Sequence, residues 1–241
     1  MPTILITGAA SGLGAAFVET YRTQPSTKIL ALDVNPMRTS HANVHPHTLD
    51  LTNEEAVLEF ANQISHDSVD LIIHSAGIRG LVPALETQYP NDVAACETLA
   101  GMDLETMTRT FQINTVATFS LLRTLLPNLQ MAKQPKVIVM SSRMGSLANN
   151  TLPKAAAGSA YAYRASKAAL NMIVRSFAVD VPDVAFVLCH PGRVETNLVK
   201  GIEEGAITAE ESVEGMLPLI ELWGESDSGK YYDRFGEVIP W

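Results

Sequence analysis

Short apolar runs alternate with longer amphipathic stretches along the whole chain. The runs Thr3–Thr7, Lys28–Asp33, Val44–Asp50, Val69–His74, Lys136–Ser141 and Ala185–His190 read as strands. Several are apolar along their whole length, the mark of strands buried on both faces. Between them, Leu13–Thr23, Asn53–Ser65, Leu104–Ala132 and Ala160–Val181 read as helices. Alternation of this kind predicts an α/β fold: a Rossmann-type, doubly wound parallel sheet with helices on both faces, three layers in one domain. Asn35, Pro36, Ser40 and Asn43 make the connection after Asp33 turn-rich, so any helix there is short. The segment Gly80–Gly101 is long for a connection, and both a functional loop and a plain surface insertion fit it.

Composition narrows the function classes. A net charge of −9 argues against a general nucleic-acid binder, which needs a basic face for phosphates. It does not argue against a small phosphate-bearing ligand, because backbone amides at a helix N-terminus hold phosphate without lysine. With 46% hydrophobic residues, a large core is available. The two cysteines, Cys96 and Cys189, sit in unlike contexts and read as buried thiols rather than a disulfide. His41, His45 and His47 crowd together without metal-ligand spacing, so no metal site is expected. The chain enters a strand-like run at Ile4–Thr7 with no basic, apolar leader, which makes a cytoplasmic location the expectation.

The chemistry begins at Thr7-Gly8-Ala9-Ala10-Ser11-Gly12-Leu13-Gly14, between the first strand and the first helix. Glycines there allow a tight turn and close approach of a pyrophosphate, and the helix start offers unpaired N–H groups. Asp33 ends the second strand about 20 residues further on, where an acid bonds the adenosine ribose hydroxyls. A carboxylate there repels a 2′-phosphate, and Ser11, not a basic residue, precedes Gly12. Both features favour NAD over NADP.

Tyr163 and Lys167 stand at i and i+4, on one face of a predicted helix. A neighbouring ammonium favours the phenolate and makes the phenol usable as an acid–base group. Ser142 follows the fifth strand, at the carboxyl edge where open α/β sheets bind ligands. Asn114 is polar within a very apolar helix and fits either a satisfied core amide or a group that orders a water beside the lysine.

Taken together, these motifs resemble the short-chain dehydrogenase/reductase family over nearly all 241 residues. Gly8, Gly12 and Gly14 have its glycine spacing. Asp50-Leu51-Thr52 looks like its adenine-side acid, and Ser75-Ala76-Gly77 matches the end of its Asn-Asn-Ala-Gly motif. Asn114, Ser142, Tyr163 and Lys167 match its catalytic tetrad, and Ser142 rather than Ser141 has the Ser-x-x-Gly context. Pro191-Gly192-Arg193-Val194-Glu195-Thr196 is similar to the Pro-Gly-x-Val-x-Thr segment that contacts the nicotinamide carboxamide. Ser-Ser-Arg-Met-Gly-Ser, Tyr-x-Tyr-Arg-x-Ser-Lys-Ala-Ala-Leu-Asn and the terminal Gly-x-x-Ile-Pro-Trp look like the C-factor/sniffer-type carbonyl reductase branch.

The resemblance implies an NAD(P)-dependent oxidoreductase acting on an alcohol/carbonyl pair. A cofactor half spans about 1–135 and a catalytic and substrate half about 136–241. The implied cofactor set is Gly8, Ser11, Gly12, Leu13, Gly14, Asp33, Asp50, Leu51, Ser75, Ala76, Gly77, Tyr163, Lys167, Pro191, Gly192, Val194 and Thr196. Lys167 would hold the nicotinamide ribose, and Asn114 would support a proton path through water. Relatives pair through their two long helices, so a homodimer or homotetramer is expected. Met144, Leu147, Tyr161 and the stretch Asn197–Met216, read as a lid, are expected to line the substrate pocket, with a loop around Asn149–Gly158 beside it.

Two features depart from the family pattern. His74-Ser75 replace Asn-Asn, and Ser142 lies 21 positions before Tyr163, wider than in most members. Alternatives are an NADP-dependent carbonyl reductase and a catalytically silent dinucleotide-binding regulator, since fold alone does not decide chemistry. A sugar-nucleotide epimerase or dehydratase shares the tyrosine–lysine pair, but it carries a longer substrate domain than the stretch after Thr196.

Overall fold

The computed structural model describes residues 1–151, 159–199 and 205–241. Seven strands form one parallel sheet: β1 (Thr3–Thr7), β2 (Lys28–Asp33), β3 (Val44–Thr48), β4 (Leu71–His74), β5 (Lys136–Met140), β6 (Ala185–His190) and β7 (Tyr231–Asp233). Their order across the sheet is β3-β2-β1-β4-β5-β6-β7. The chain moves outward to β3, returns past β1 to β4, and continues to the far edge. The reversal between β1 and β4 opens a crevice at the carboxyl ends of the strands, where such sheets bind ligands.

Strand period explains the layers. Leu5, Leu30, Leu32, Val137, Val139, Phe186 and Leu188 point to one core. Their sequence neighbours Ile4, Ile6, Ile29, Ala31, Ile138, Val187 and Cys189 point to the other. Successive side chains alternate across a strand, so a fully apolar run needs cover on both faces. Helices α1 (Gly12–Tyr21) and α7 (Ala209–Leu222) cover the second core with Phe17, Val18, Val213 and Met216. The first core is covered by α2 (Glu54–Gln63), α5 (Ala117–Gln130) and α6 (Tyr161–Asp180) through Val57, Leu121 and Val174.

The sheet and helices follow the expected pattern, with differences of detail. β3 ends at Thr48, before Asp50, and carries Pro46 within it, which is tolerable because β3 is an edge strand. The long helix expected over Leu104–Ala132 is α4 (Leu104–Phe111), a π-helical turn over Gln112–Val116, and α5. Gly80–Gly101 holds the short helix α3 (Pro83–Gln88) and a 3-10 turn at Ala95–Glu97. The last part of the stretch read as a lid, from Ala209 on, belongs to α7, capped by Thr208, whose hydroxyl accepts from the Glu211 N–H. Residues 152–158 of the expected loop and 200–204 of the expected lid lie outside the described residues.

Both cysteines are free and buried, and Cys189 packs against Met216. Among the described residues, no helix is long and apolar enough to cross a membrane.

Candidate active site

A cavity of about 1050 Å³ runs along the carboxyl edge of the sheet. At one end it is lined by Gly8, Ser11, Gly12, Leu13, Asp33, Asp50 and Leu51. Ser75, Ala76 and Gly77 line its middle, and Ser142, Tyr163, Lys167, Pro191, Gly192, Val194 and Thr196 line the rest. The fold thus brings all but two of the expected site residues to one wall. Gly14 and Asn114 stand behind it, and each has a structural reason to do so.

Gly14 lets helix α1 press on the loop. A Cβ there would sit 2.1 Å from the carbonyl oxygen of Gly8, closer than any side chain can come. Gly8 itself has φ +66, a left-handed conformation that glycine adopts without cost. No side chain caps the start of α1, although Ser11 occupies the N-cap position. The first amides of the helix therefore stay available to an anion. Asp33 ties this loop to β2: one carboxylate oxygen accepts from the Ala10 N–H at 3.0 Å, the other from the Asn35 backbone at 2.8 Å. Thr196 folds back onto the loop, and a Cβ on Gly12 would lie 2.9 Å from its methyl group.

His74 performs a bridging task in place of the family's asparagine. Thr7 Oγ1 accepts from the Ser75 and Ala76 amides, both at 3.1 Å. With its lone pairs used, that hydroxyl donates to His74 Nδ1 at 2.9 Å. His74 Nε2–H then donates to Thr118 Oγ1 at 2.8 Å, and Thr118 donates to the Asn114 carbonyl at 3.1 Å. The network fixes the imidazole as the neutral Nε2–H tautomer. Burial, reinforced by the Lys167 charge, pulls its pKa down to about 3, so it stays neutral. Glycine loop and helix α5 are joined through one ring.

Asn114 sits at the centre of the π-helical turn. Its Oδ1 accepts from the Ile78 N–H at 2.8 Å, and its Nδ2 donates to the Ile78 carbonyl at 2.9 Å and to Ser166 Oγ at 3.1 Å. The side chain is therefore fully engaged in holding the Gly77–Ile78 backbone to α6. Of the two roles that the sequence allows, the amide fills the satisfied core one, which leaves the backbone carbonyl for any contact with water.

The serines face different ways. Ser141 Oγ donates to Asn171 Oδ1 at 2.5 Å, inside the core. Ser142 Oγ accepts from the Met144 N–H and lies close enough to the Tyr163 phenol to favour its ionisation. The turn that carries Ser142 packs directly on α6 at Gly145, where a Cβ would lie 2.9 Å from Lys167. The chain's last residues pin the same turn, with Ser146 Oγ donating to the Pro240 carbonyl and the Ala148 N–H to that of Trp241.

Tyr163 is only 6% exposed. Burial raises its phenol above the usual range; the Arg79 charge and the Ser142 hydroxyl oppose this, and Glu97 adds to it. Lys167 Nζ lies 5.8 Å from the phenol ring centre and donates to the Met140 carbonyl at 2.8 Å. Burial lowers its pKa to about 8. Beside Lys167, the cation expected to act on the phenol, stands a second one: the guanidinium of Arg79, 4.9 Å from the ring centre. Sequence reasoning missed Arg79 because it lies outside any periodic element. Among the residues expected to line the substrate pocket, Asn197 and Leu198 reach the cavity wall, whereas Met144, Leu147 and Tyr161 do not. Leu147 and Tyr161 are exposed outside it.

The family model for short chain dehydrogenase matches residues 2–206. The chain belongs to this family. It is an oxidoreductase that works with a nicotinamide cofactor. It is 38% identical to C-signal of Myxococcus xanthus over 184 residues, 76% of this chain and 98% of that protein. Among solved structures, the NADPH-bound carbonyl reductase from chicken fatty liver superposes with a TM-score of 0.85 at 26% identity, covering 100% of this chain and 94% of that one. Carbonyl reductase Sniffer of D. melanogaster gives 0.80 at 25% identity, with 100% of both chains covered. The expected C-factor/sniffer-type branch is the one these relatives represent.

Proposed function

We propose that this enzyme moves hydride between NAD and a secondary alcohol or the matching carbonyl, with Tyr163 as the group that gives and takes the substrate proton. The observation that carries the reading is the buried phenol of Tyr163 on the cavity wall, beside Ser142 on that wall and on one helix face with Lys167. The cofactor fits the cavity on two counts: the uncapped amides of α1 suit a pyrophosphate, and the glycine contact at Gly14 leaves the loop low enough to admit one.

When bound, the nicotinamide supplies or accepts the hydride. Gly8, Ser11, Gly12 and Leu13 would hold the pyrophosphate, and Asp33, Asp50 and Leu51 the adenosine end. Lys167 would hold the nicotinamide ribose, with Pro191, Gly192, Val194 and Thr196 closing the same end. Ser142 orients the substrate oxygen and steadies its developing charge. Tyr163 as phenolate removes the alcohol proton, and as phenol protonates the carbonyl oxygen. Asn114 keeps the Gly77–Ile78 backbone against α6 and offers its carbonyl to a water on the proton path.

NAD is preferred because the lining at the ends of β2 and β3 runs Asp33-Val34-Asn35 and Asp50-Leu51-Thr52, with two carboxylates and no cation. NADPH in the chicken carbonyl reductase supports the opposite preference as a second reading. Titrating the protein with NADH and NADPH in parallel, by nicotinamide fluorescence, separates them. The reading expects tighter NADH; tighter NADPH overturns the role given to Asp33. Exposed Leu104, Val116, Phe119, Met172 and Val179 on α4–α5 and α6 support a homodimer or homotetramer.

A further inference from the structure

We propose that Arg79 is a positioning residue for Tyr163, with Glu97 holding its guanidinium across the phenol ring so that a fixed positive charge faces the phenolate. The proposal rests on the acid–base role given to Tyr163 above.

The geometry is specific. Arg79 follows the Gly77–Ile78 backbone that Asn114 clamps, so its starting point is fixed. Its Nε and Nη2 both donate to the Glu97 carboxylate at 2.8 Å, a two-pronged contact that sets the guanidinium plane. Nη1 reaches Met144 Sδ at 3.1 Å, on the turn that carries Ser142. The Arg79 side chain is 13% exposed and that of Glu97 6%. Glu97 is itself anchored, because its backbone carbonyl accepts from the Ala160 N–H at 2.9 Å, at the start of the helix that carries Tyr163. The connection between β4 and α4 therefore delivers a carboxylate whose task is to aim an arginine.

Groups facing the phenol come from every element around it. Arg79 approaches after β4, Glu97 from the 3-10 turn, Ser142 after β5, the Tyr231 hydroxyl from β7, and Lys167 from α6 itself, while Arg164 on α6 faces Arg79 and Glu97. Lys167 is committed to the Met140 carbonyl and loses charge as pH passes about 8. An arginine does not titrate in this range, so its field persists where that of the lysine fades. Arg79 pulls the phenol down and Glu97 pushes it up, with arginine the larger influence. Glu97 acts on the phenol less than Arg79 does and binds the guanidinium through both carboxylate oxygens, which makes it chiefly a tether.

The test reads Tyr163 without substrate. Protein labelled with 13C at tyrosine Cζ is titrated by NMR, and Tyr163→Phe assigns the resonance. Arg79→Met is expected to raise the proton affinity of Tyr163 about tenfold, and Arg79→Lys to restore most of it. Arg79→Met leaves a buried carboxylate alone, which can unfold a protein. The double variant Arg79→Met/Glu97→Met removes both charges and is expected to move the phenol in the same direction by less. Circular dichroism checks that each variant is folded. A Tyr163 titration that matches the wild type in both folded variants overturns the proposal. Failure of the wild-type protein to bind NADH or NADPH overturns the functional reading instead, and leaves this titration readable.

Discussion

The two ends of the cavity are built from different materials. At the adenosine end, the wall is backbone: uncapped helix amides, a glycine loop, and an aspartate tied to Ala10 and Asn35. At the reaction end, the wall is buried side-chain charge, in which Arg79, Glu97, Lys167 and Tyr163 each depend on a partner from another segment. Backbone recognition needs space and tolerates changes of side chain around it. A buried charge network needs every member, because an unpaired charge inside a protein is costly. The first end should therefore fail when space is lost, and the second when a single functional group is lost.

The largest effect short of the tyrosine itself is expected at Lys167. Lys167→Met should lower turnover about a hundredfold or more while also weakening cofactor binding, since one ammonium serves both. Steady-state kinetics beside an NADH titration measure the two losses. Next comes Gly14→Ala, which places a methyl against the Gly8 carbonyl. Overpacking of this kind costs about 1–3 kcal/mol and should displace the pyrophosphate loop. Gly224→Ala, at a glycine with nothing within 4 Å, is the control in urea denaturation. Equal midpoints for the two variants would break the contrast between the ends.

A third test concerns the ring that joins loop and helix. The folded-state pKa of His74 is depressed to about 3 from 6.5. The unfolded chain therefore takes up the proton first as the pH falls. The stabilisation from neutral His74 is full above pH 6.5 and is lost as the pH drops toward 3. At pH 5 the loss is about 2 kcal/mol. His74→Asn should remove this part of the acid sensitivity, seen as a smaller difference between urea midpoints at pH 7 and pH 5. His190, lowered to about 4, adds to the slope and should leave a residue of it in the variant. The smallest effect is expected for Asp33→Asn, which removes the charge and one of the two acceptors that hold the Ala10 and Asn35 amides; it should narrow the preference for NADH by about tenfold or less.

The same contrast explains what could be read from the sequence. Five of the six longer strands were legible because a run such as Leu71–His74 or Ala185–His190 is apolar on both faces, whereas the edge strand β3 is mostly polar and exposed. Strand β7 was not, being three residues at the sheet edge. In α7, Glu210, Glu211 and Glu214 break up the apolar positions, and a core-facing amphipathic helix looked like a lid. The glycine loop, Asp33, Ser142, Tyr163 and Lys167 were legible because each sits at a fixed offset from a strand or on one helix face. The π-helical turn has no signature of its own, and Asn114 showed only as an oddly polar residue. Arg79 and Glu97 lie 18 positions apart on irregular backbone, and nothing local says that they meet. Local geometry is written locally, whereas a charge network becomes visible only once the chain has folded.

The central claim is that Tyr163 carries the substrate proton in a cavity that binds the cofactor without it. The direct measurement is Tyr163→Phe, assayed for turnover and titrated with NADH on the same preparation. The account predicts a fall in turnover of at least about a hundredfold with cofactor affinity close to wild type. Wild-type turnover in the variant would contradict it.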